Sequence, residues 1–392
     1  MNTIGIVVEY NPFHNGHKLH LSEAKKHGDV VIGVMSGDFV QRGEPAIINK
    51  WERTKMALLE GVDIVVELPV FYSTQSAEIF ARGSIKILKE LKVEKIIFGS
   101  ESDNLDKLKE VIKLENNVKF LESLKKNLKS GLSYPTAYNK EIKNFLGKEY
   151  EIKSNDILGI EYLRAIKLLK VNIDPKTLKR KGVGYNSLVA KENILSATGI
   201  RKLLKNNENV EKFISNKSKE ILLENENNKK LADISQYYKL IRYAIISNKE
   251  TLHEIQDVEI GFENRLYEMA LKSENYKIFL ENIMTKRYTI GRIQRILIHI
   301  LLSINKKDSK RLKEKLPYIR ILGFSKKGRD YLNIIKKKEI KNVNILTSLK
   351  NIQKKLSVEE LKYLELNEKA SLIYRMINKY EDQKIPMMKE EK

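Results

Sequence analysis

Four short apolar runs punctuate the first hundred positions: TIGIVVE (residues 3–9), VVIGVM (30–35), DIVVELP (63–69) and KIIFGS (95–100). Apolarity in each is nearly continuous rather than alternating. That suits strands covered on both faces, as in a parallel sheet. Between the runs, apolar positions recur at helical spacing over residues 16–27, 49–60 and 76–91, with Asn49 and Ser76 at N-cap positions. This alternation predicts an α/β fold with a doubly wound, mostly parallel sheet, which binds ligands at the carboxyl ends of its strands.

Further along, residues 101–150 are charged and mostly helical in pattern, with a turn at GLSYPT, and read as an insertion. SNDILGIEYLRAI (154–166) returns to a helix, TLKRKGVGYN (177–186) is a basic strand or loop, and LSATGIRKLL (195–204) is a loop entering a helix. Fifteen of the 19 glycines and five of the seven prolines precede residue 200, so turns thin out in the second half. From about residue 205 the pattern is helical throughout, and the tail EDQKIPMMKEEK is expected to fray. The expected organisation is an α/β domain over residues 1–204, with a helical insertion at about 101–150, and a mainly α-helical, basic domain over 205–392.

At 392 residues, 42% of them apolar, the chain is long enough for two cores. No stretch approaches the roughly 20 uncharged apolar residues of a membrane span, and the N-terminus has no basic start or small-residue cleavage site. With no cysteine, disulfides, thiolate metal sites and cysteine nucleophiles are excluded, which fits a cytoplasmic location. The net charge of +22 favours a polyanionic partner. Lysine is enriched together with asparagine and isoleucine, so a general compositional bias accounts for part of that charge.

Chemistry concentrates in EYNPFHNGHKLH (9–20): four of the six histidines fall in the first 27 residues. This segment follows the first strand, and Gly16 opens a helix, so His14 and His17 flank a helix N-terminus. Free backbone N–H groups and a partial positive charge make that a phosphate site. Gly16 has no side chain to block a nucleotide, and two imidazoles three residues apart can donate to charge developing on one phosphorus. His17 and His20, three residues apart on one helix, could instead share a zinc ion, but the phosphate reading is preferred and no metal site is assigned.

His14-Asn15-Gly16-His17 after a first parallel strand is similar to the HxGH signature of nucleotidyltransferases, and SATGIR (196–201) resembles their second motif. The longer series VEYNPFHNGH, GDFVQRGEPAI, FGSE, SNDILGIEYL, SATGIR and TKRYTIGRIQR, in that order over roughly residues 1–325, resembles the bacterial tRNA(Met) cytidine acetate ligase family. The resemblance implies an enzyme that uses ATP, as Mg-ATP, to convert acetate into acetyl-adenylate. It then acetylates N4 of the wobble cytidine of elongator tRNA(Met), giving N4-acetylcytidine. His14 and His17 would be catalytic. The ATP segment would comprise Val7, Val8, Glu9, Tyr10, Asn11, Pro12, Phe13, His14, Asn15, Gly16, His17, Lys18, Leu19 and His20, joined by Gly99, Asn155, Arg180, Ser196, Thr198 and Arg201. Arg201 is the residue suited to the departing pyrophosphate, since a guanidinium beside a helix start matches it in charge and geometry. Asp156 stands where the family often has Asn. Taken alone, Gly99 also fits a plain turn and Arg180 a solvated charge.

SGDFVQRGEPA (36–46) is long for a strand–helix connection. Asp38, Gln41 and Arg42 could border acetate or cytidine, with Arg42 matched to the acetate carboxylate by charge, or the loop could be a lid without direct contact. Lys286, Arg287, Arg292 and Arg295, with His299 on the same helical face, are candidates for tRNA phosphates, and Phe324 and Tyr331 for base stacking. A cofactor-making adenylyltransferase of the same superfamily is the alternative. A compact single domain would suit it better than a chain carrying a large basic helical half.

Overall fold

A computed structural model describes residues 1–180, 193–285, 287–312, 314–337 and 343–389. The strands are β1 (Thr3–Val8), β2 (Val30–Ser36), β3 (Phe39–Val40), β4 (Glu44–Pro45), β5 (Ile64–Leu68), β6 (Lys95–Ser100), β7 (Asp174–Lys179), β8 (Tyr318–Phe324), β9 (Asn344–Leu346) and β10 (Met387–Met388). The main sheet has the order β10-β8-β5-β2-β1-β6-β7, with β9 beside β8. Every pairing in it is parallel except β5 with β8. The register runs Thr3 opposite Val30 to Val8 opposite Met35, and Lys95 opposite Asp174 to Ser100 opposite Lys179. The expected doubly wound, mostly parallel sheet is therefore present.

Continuous apolarity has the expected cause. Along β2, Val30, Ile32 and Val34 enter one buried cluster while Val31 and Met35 enter another on the opposite face. The helices Asn15–His27, Lys50–Glu60 and Ala77–Glu90 lie where the periodicity put them. Asn49 caps the second as expected, its Oδ1 accepting from the Trp51 and Glu52 N–H groups at 2.9 and 3.0 Å. Ser76 stands at the N-cap of the third but makes no side-chain capping bond. The insertion holds three helices, Leu105–Leu114, Val118–Lys129 and Tyr134–Leu146. The basic segment after residue 176 continues β7, and its residues 181–186 lie outside the described residues.

Unbroken helix after residue 205 is corrected. Helices do dominate there, including Ile290–Leu302 and Val358–Asn378, but β8, β9 and β10 join the sheet. Arg320 hid β8, because a charge inside YIRILGF breaks the apolar run. In the fold that guanidinium is only 3% exposed, lies 3.4 Å from Glu67 Oε2, bonds to Glu368 and donates to the Gln383 carbonyl at 3.1 Å. The frayed tail is corrected as well: Met387–Met388 pairs with Gly323 and Phe324, and Asp382 accepts from Trp51 Nε1 at 2.6 Å.

A buried polar network ties the two halves together. Lys50 Nζ reaches Glu67 Oε1 at 2.9 Å and Ser371 Oγ at 2.8 Å, and Ser371 in turn donates to Asp38 at 2.8 Å. Charges this deeply buried persist only when paired and hydrogen-bonded.

Candidate active site

A cleft of about 410 Å³ opens at the carboxyl ends of β1, β6 and β7. It is lined by residues 7–11, His14, Gly16, His17, Leu19 and His20 from the first segment, and by Gly99, Asn155, Arg180, Ser196, Thr198 and Arg201 from distant ones. The chain thus gathers most of the residues singled out in sequence. Pro12, Phe13, Asn15 and Lys18 do not line it. Phe13 is core, its ring centroid 4.7 Å from that of Tyr10 and 5.7 Å from that of His17. Asn15 Nδ2 donates to the carbonyls of Asn193 (2.9 Å) and Lys212 (3.0 Å), anchoring the helix start. Lys18 points to solvent.

His14 is itself the N-cap of the helix Asn15–His27. Its Nδ1 accepts from the Gly16 N–H at 3.0 Å, while His17 Nδ1 accepts from the His14 N–H at 3.3 Å. An Nδ1 that accepts carries no proton, so each neutral ring carries its proton on Nε2. The rings stack with centroids 3.7 Å apart and planes 27° from parallel. Burial, then the charges of Arg180 and Arg201, push the His14 pKa down to about 3. Burial, followed by His14, His20 and Arg180, holds that of His17 well below the usual histidine range. Both rings are neutral hydrogen-bond donors at physiological pH. His20 is engaged differently, with its Nε2 3.0 Å from the Ile97 carbonyl.

Opposite stands Arg201, in the first turns of the helix Ala197–Lys205, whose N-cap Ser196 accepts from the Gly199 N–H at 3.0 Å. Arg201 donates to the Asn11 carbonyl at 2.9 Å and lies 3.6 Å from Glu44 Oε2. At the end of β6, Gly99 is passed closely by Arg180: a Cβ there would meet Arg180 Cγ at 3.3 Å. Asn155 Nδ2 donates to Glu101 at 2.5 Å. Its neighbour Asp156 accepts from Ser100 Oγ (2.5 Å), the Glu101 N–H (3.1 Å) and the Ser102 N–H (3.2 Å). The carboxylate thereby organises the loop after β6 with more acceptor positions than an Asn would offer.

The segment 36–46 is neither a plain loop nor a detached lid. It folds into the short antiparallel pair β3–β4, and Gln41 and Arg42 line the cleft. Asp38 does not line it. Its carboxylate accepts from the Lys50 N–H (2.8 Å), Ser371 Oγ (2.8 Å) and Tyr380 Oη (2.9 Å), so it belongs to the network between the halves. Gly43 presses the turn onto the helix Ile290–Leu302: at φ +75°, a Cβ on it would lie 2.2 Å from Arg295 N.

That helix is less open than its sequence suggests. His299 is fully buried, with its ring nitrogens at the carbonyls of Thr74 (2.7 Å) and Gln256 (3.3 Å), so it leaves the supposed basic face. Arg295 turns toward the Gln41 carbonyl, 3.5 Å away. Arg287 and Arg292 stay together at the surface, both 2.7 Å from the single carboxylate of Glu259. Lys286 lies outside the described residues. Tyr331 is a core residue donating to the Leu91 carbonyl at 2.8 Å, and Phe324 is partly buried in β8, so neither is presented as a stacking platform.

Arg53 was missed in the sequence. It is fully buried and donates through Nε to the Ile48 carbonyl (3.1 Å) and through Nη1 to the carbonyls of Glu9 (2.8 Å) and Ser36 (2.9 Å). It also donates to the carbonyl of Gly37. The signal was positional: Lys50, Arg53, Thr54, Ala57 and Leu58 follow the i, i+3, i+4, i+7, i+8 stripe that faces a core.

Among the described residues, no group of three or more His, Asp or Glu side chains could hold a metal ion, and no helix is long and apolar enough to cross a membrane. A parallel sheet with two neutral imidazoles where its first helix begins, facing an arginine from a second helix start, defines a nucleotide-handling protein of the HIGH type. The family model described as HIGH Nucleotidyl Transferase matches residues 1–388. A tRNA(Met) cytidine acetate ligase from Fusobacterium nucleatum is 45% identical over 401 residues, covering 100% of this chain and 99% of that protein. One from Caldicellulosiruptor bescii is 44% identical over 383 residues, covering 96% and 94%. Among solved structures, apo Thermotoga maritima TmcAL superposes with a TM-score of 0.90 at 32% identity, covering 99% of both chains. TmcAL bound with alpha-thio ATP superposes with a TM-score of 0.87 at 33% identity and the same coverage. The chain belongs to the tRNA(Met) cytidine acetate ligase family of HIGH nucleotidyltransferases.

Proposed function

We propose that the protein acetylates tRNA in two steps within this cleft. An acetate oxygen attacks the α-phosphorus of ATP and the bond to pyrophosphate breaks, leaving acetyl-adenylate. N4 of the wobble cytidine of elongator tRNA(Met) then attacks the acetyl carbonyl, and AMP departs. The observation that carries the reading is the pair of neutral imidazoles with Nε2–H donors at a helix N-terminus. Such donors can strengthen as charge builds on the phosphoryl oxygens, and they need no reorganisation to do so. Acetate is already a nucleophile and a mixed anhydride is already reactive, so the protein's part is to position anions and exclude water.

Arg201, with Arg180, faces the phosphates, and Gly99 and Asn155 border the nucleoside. Magnesium accompanies ATP as its counter-ion rather than occupying a protein site. Arg42 is the group matched to acetate. Residues 1–204 supply this chemistry, and residues 205–392 hold the tRNA. The enzyme works in the cytoplasm, where tRNA, ATP and acetate meet.

Incubation with ATP, labelled acetate and a tRNA(Met) transcript, followed by nucleoside analysis, is expected to yield labelled N4-acetylcytidine. Label in no nucleoside would overturn the reading.

Two further outcomes follow. Arg201→Ala removes a guanidinium from the pyrophosphate side and is expected to lower kcat/KM for ATP by roughly 10- to 100-fold in acetate-dependent pyrophosphate release. An unchanged ATP dependence would remove Arg201 from the site. Arg287 is 67% exposed, so Arg287→Glu leaves the core alone. It is expected to weaken tRNA binding by about tenfold and to reduce the salt dependence of binding, with pyrophosphate release in the absence of tRNA unaltered. Unaltered tRNA affinity would place the RNA on another surface.

A further inference from the structure

We propose that the Glu9 carboxylate is the proton acceptor of the second step: it takes the proton that cytidine N4 loses as the acetyl group is transferred. This rests on the ligase reading above. The N4–C bond forms, the bond between the acetyl carbon and the adenylate oxygen breaks, AMP leaves with the electron pair of that bond, and one N4 proton passes to Glu9. A cytosine amine is conjugated with its ring and weakly basic. Attack therefore requires a group that removes its proton.

Among the described cleft residues, few can accept one. His14 and His17 have their Nδ1 lone pairs occupied by backbone N–H groups and carry protons on Nε2. His20 lies deeper along the same helix, is held at the Ile97 carbonyl, and has its basicity reduced by burial. The arginines and lysines of the lining are donors only. Two carboxylates remain, Glu9 and Glu23. Glu23 is 2.7 Å from Lys26 Nζ and 3.4 Å from His27 on the outer side of the helix.

Glu9 follows β1 directly and is held at two points. The Gln41 N–H donates to its Oε1 at 2.8 Å, and Arg53 Nη1 donates to its main-chain carbonyl at 2.8 Å. It therefore sits on the wall formed with Gln41 and Arg42, beside the group matched to acetate. Burial raises the Glu9 pKa, which makes it a stronger base, while the backbone bond from Gln41 and the charges of Arg201, Arg42 and Arg53 act against that rise and favour the ionised form.

Glu9→Gln tests this with the fold preserved, because the amide oxygen can still accept from the Gln41 N–H. Two quantities are read in one single-turnover reaction with enzyme in excess over ATP, acetate-dependent pyrophosphate release and N4-acetylcytidine formed. The ratio of acetyl transferred to pyrophosphate released is expected to fall by roughly 100-fold, with acetyl-adenylate accumulating. In the wild type, the single-turnover transfer rate rises with pH through one ionisation that Glu9→Gln lacks and Glu9→Asp retains. An unchanged ratio would overturn the proposal, and so would both half-reactions falling in parallel, which would make Glu9 a residue of ATP use alone. Pyrophosphate release indifferent to acetate in the wild type would instead remove the ligase reading itself.

Discussion

His17→Ala is expected to lower acetate-dependent pyrophosphate release by 10²- to 10³-fold or more, about 3–4 kcal/mol of transition-state stabilisation, while tRNA binding is retained. The lower bound is the loss of one preorganised donor to a developing oxyanion. The effect should exceed it, because the His17 ring also accepts from the His14 N–H at 3.3 Å and stacks on the His14 ring at 3.7 Å. Removing it loosens the second donor as well as deleting the first. His17→Gln restores a donor without the ring and is expected to recover only a small part of the rate. Pyrophosphate release by His17→Ala within threefold of wild type would show that the imidazoles do not act on the phosphate.

Arg53→Met should give the largest loss of stability, roughly 3–5 kcal/mol in a urea titration. The substitution fills similar volume but strips donors from four carbonyls, those of Ile48, Glu9, Ser36 and Gly37. Each unsatisfied buried acceptor costs about 1–3 kcal/mol, with partial relaxation reducing the sum. Because the carbonyls of Glu9, Ser36 and Gly37 lie at the ends of β1 and β2 beside the cleft, the folded remainder should also use ATP poorly. A loss below about 1 kcal/mol would mean that the carbonyls find other partners.

The α/β half was legible because both of its signals are local. Strands buried on two faces read as continuous apolar runs, and the caps and glycines between them mark the turns. The placement of the histidine pair was legible for the same reason, since it follows from a strand end, a helix start and a spacing of three. What escaped the sequence depends on long-range pairing. β8 was concealed by Arg320, whose charge is neutralised by Glu67 and Glu368, one from early and one from late in the chain. Asp38 looked like a cleft carboxylate because its partners Ser371 and Tyr380 lie more than three hundred residues away. On the helix Ile290–Leu302, the periodicity located the apolar face correctly but could not show that the turn at Gly43 and the Thr74 carbonyl cover Arg295 and His299 on the other. Among the described residues of that basic face, Arg287 and Arg292 remain at the surface.

Pyrophosphate release from ATP, measured with and without acetate and with and without a tRNA(Met) transcript, tests the central claim most directly. Release that requires acetate, with acetyl appearing on cytidine N4 when the transcript is added, is the predicted result. Release at the same rate without acetate would contradict it and would leave a nucleotidyltransferase acting on another acceptor.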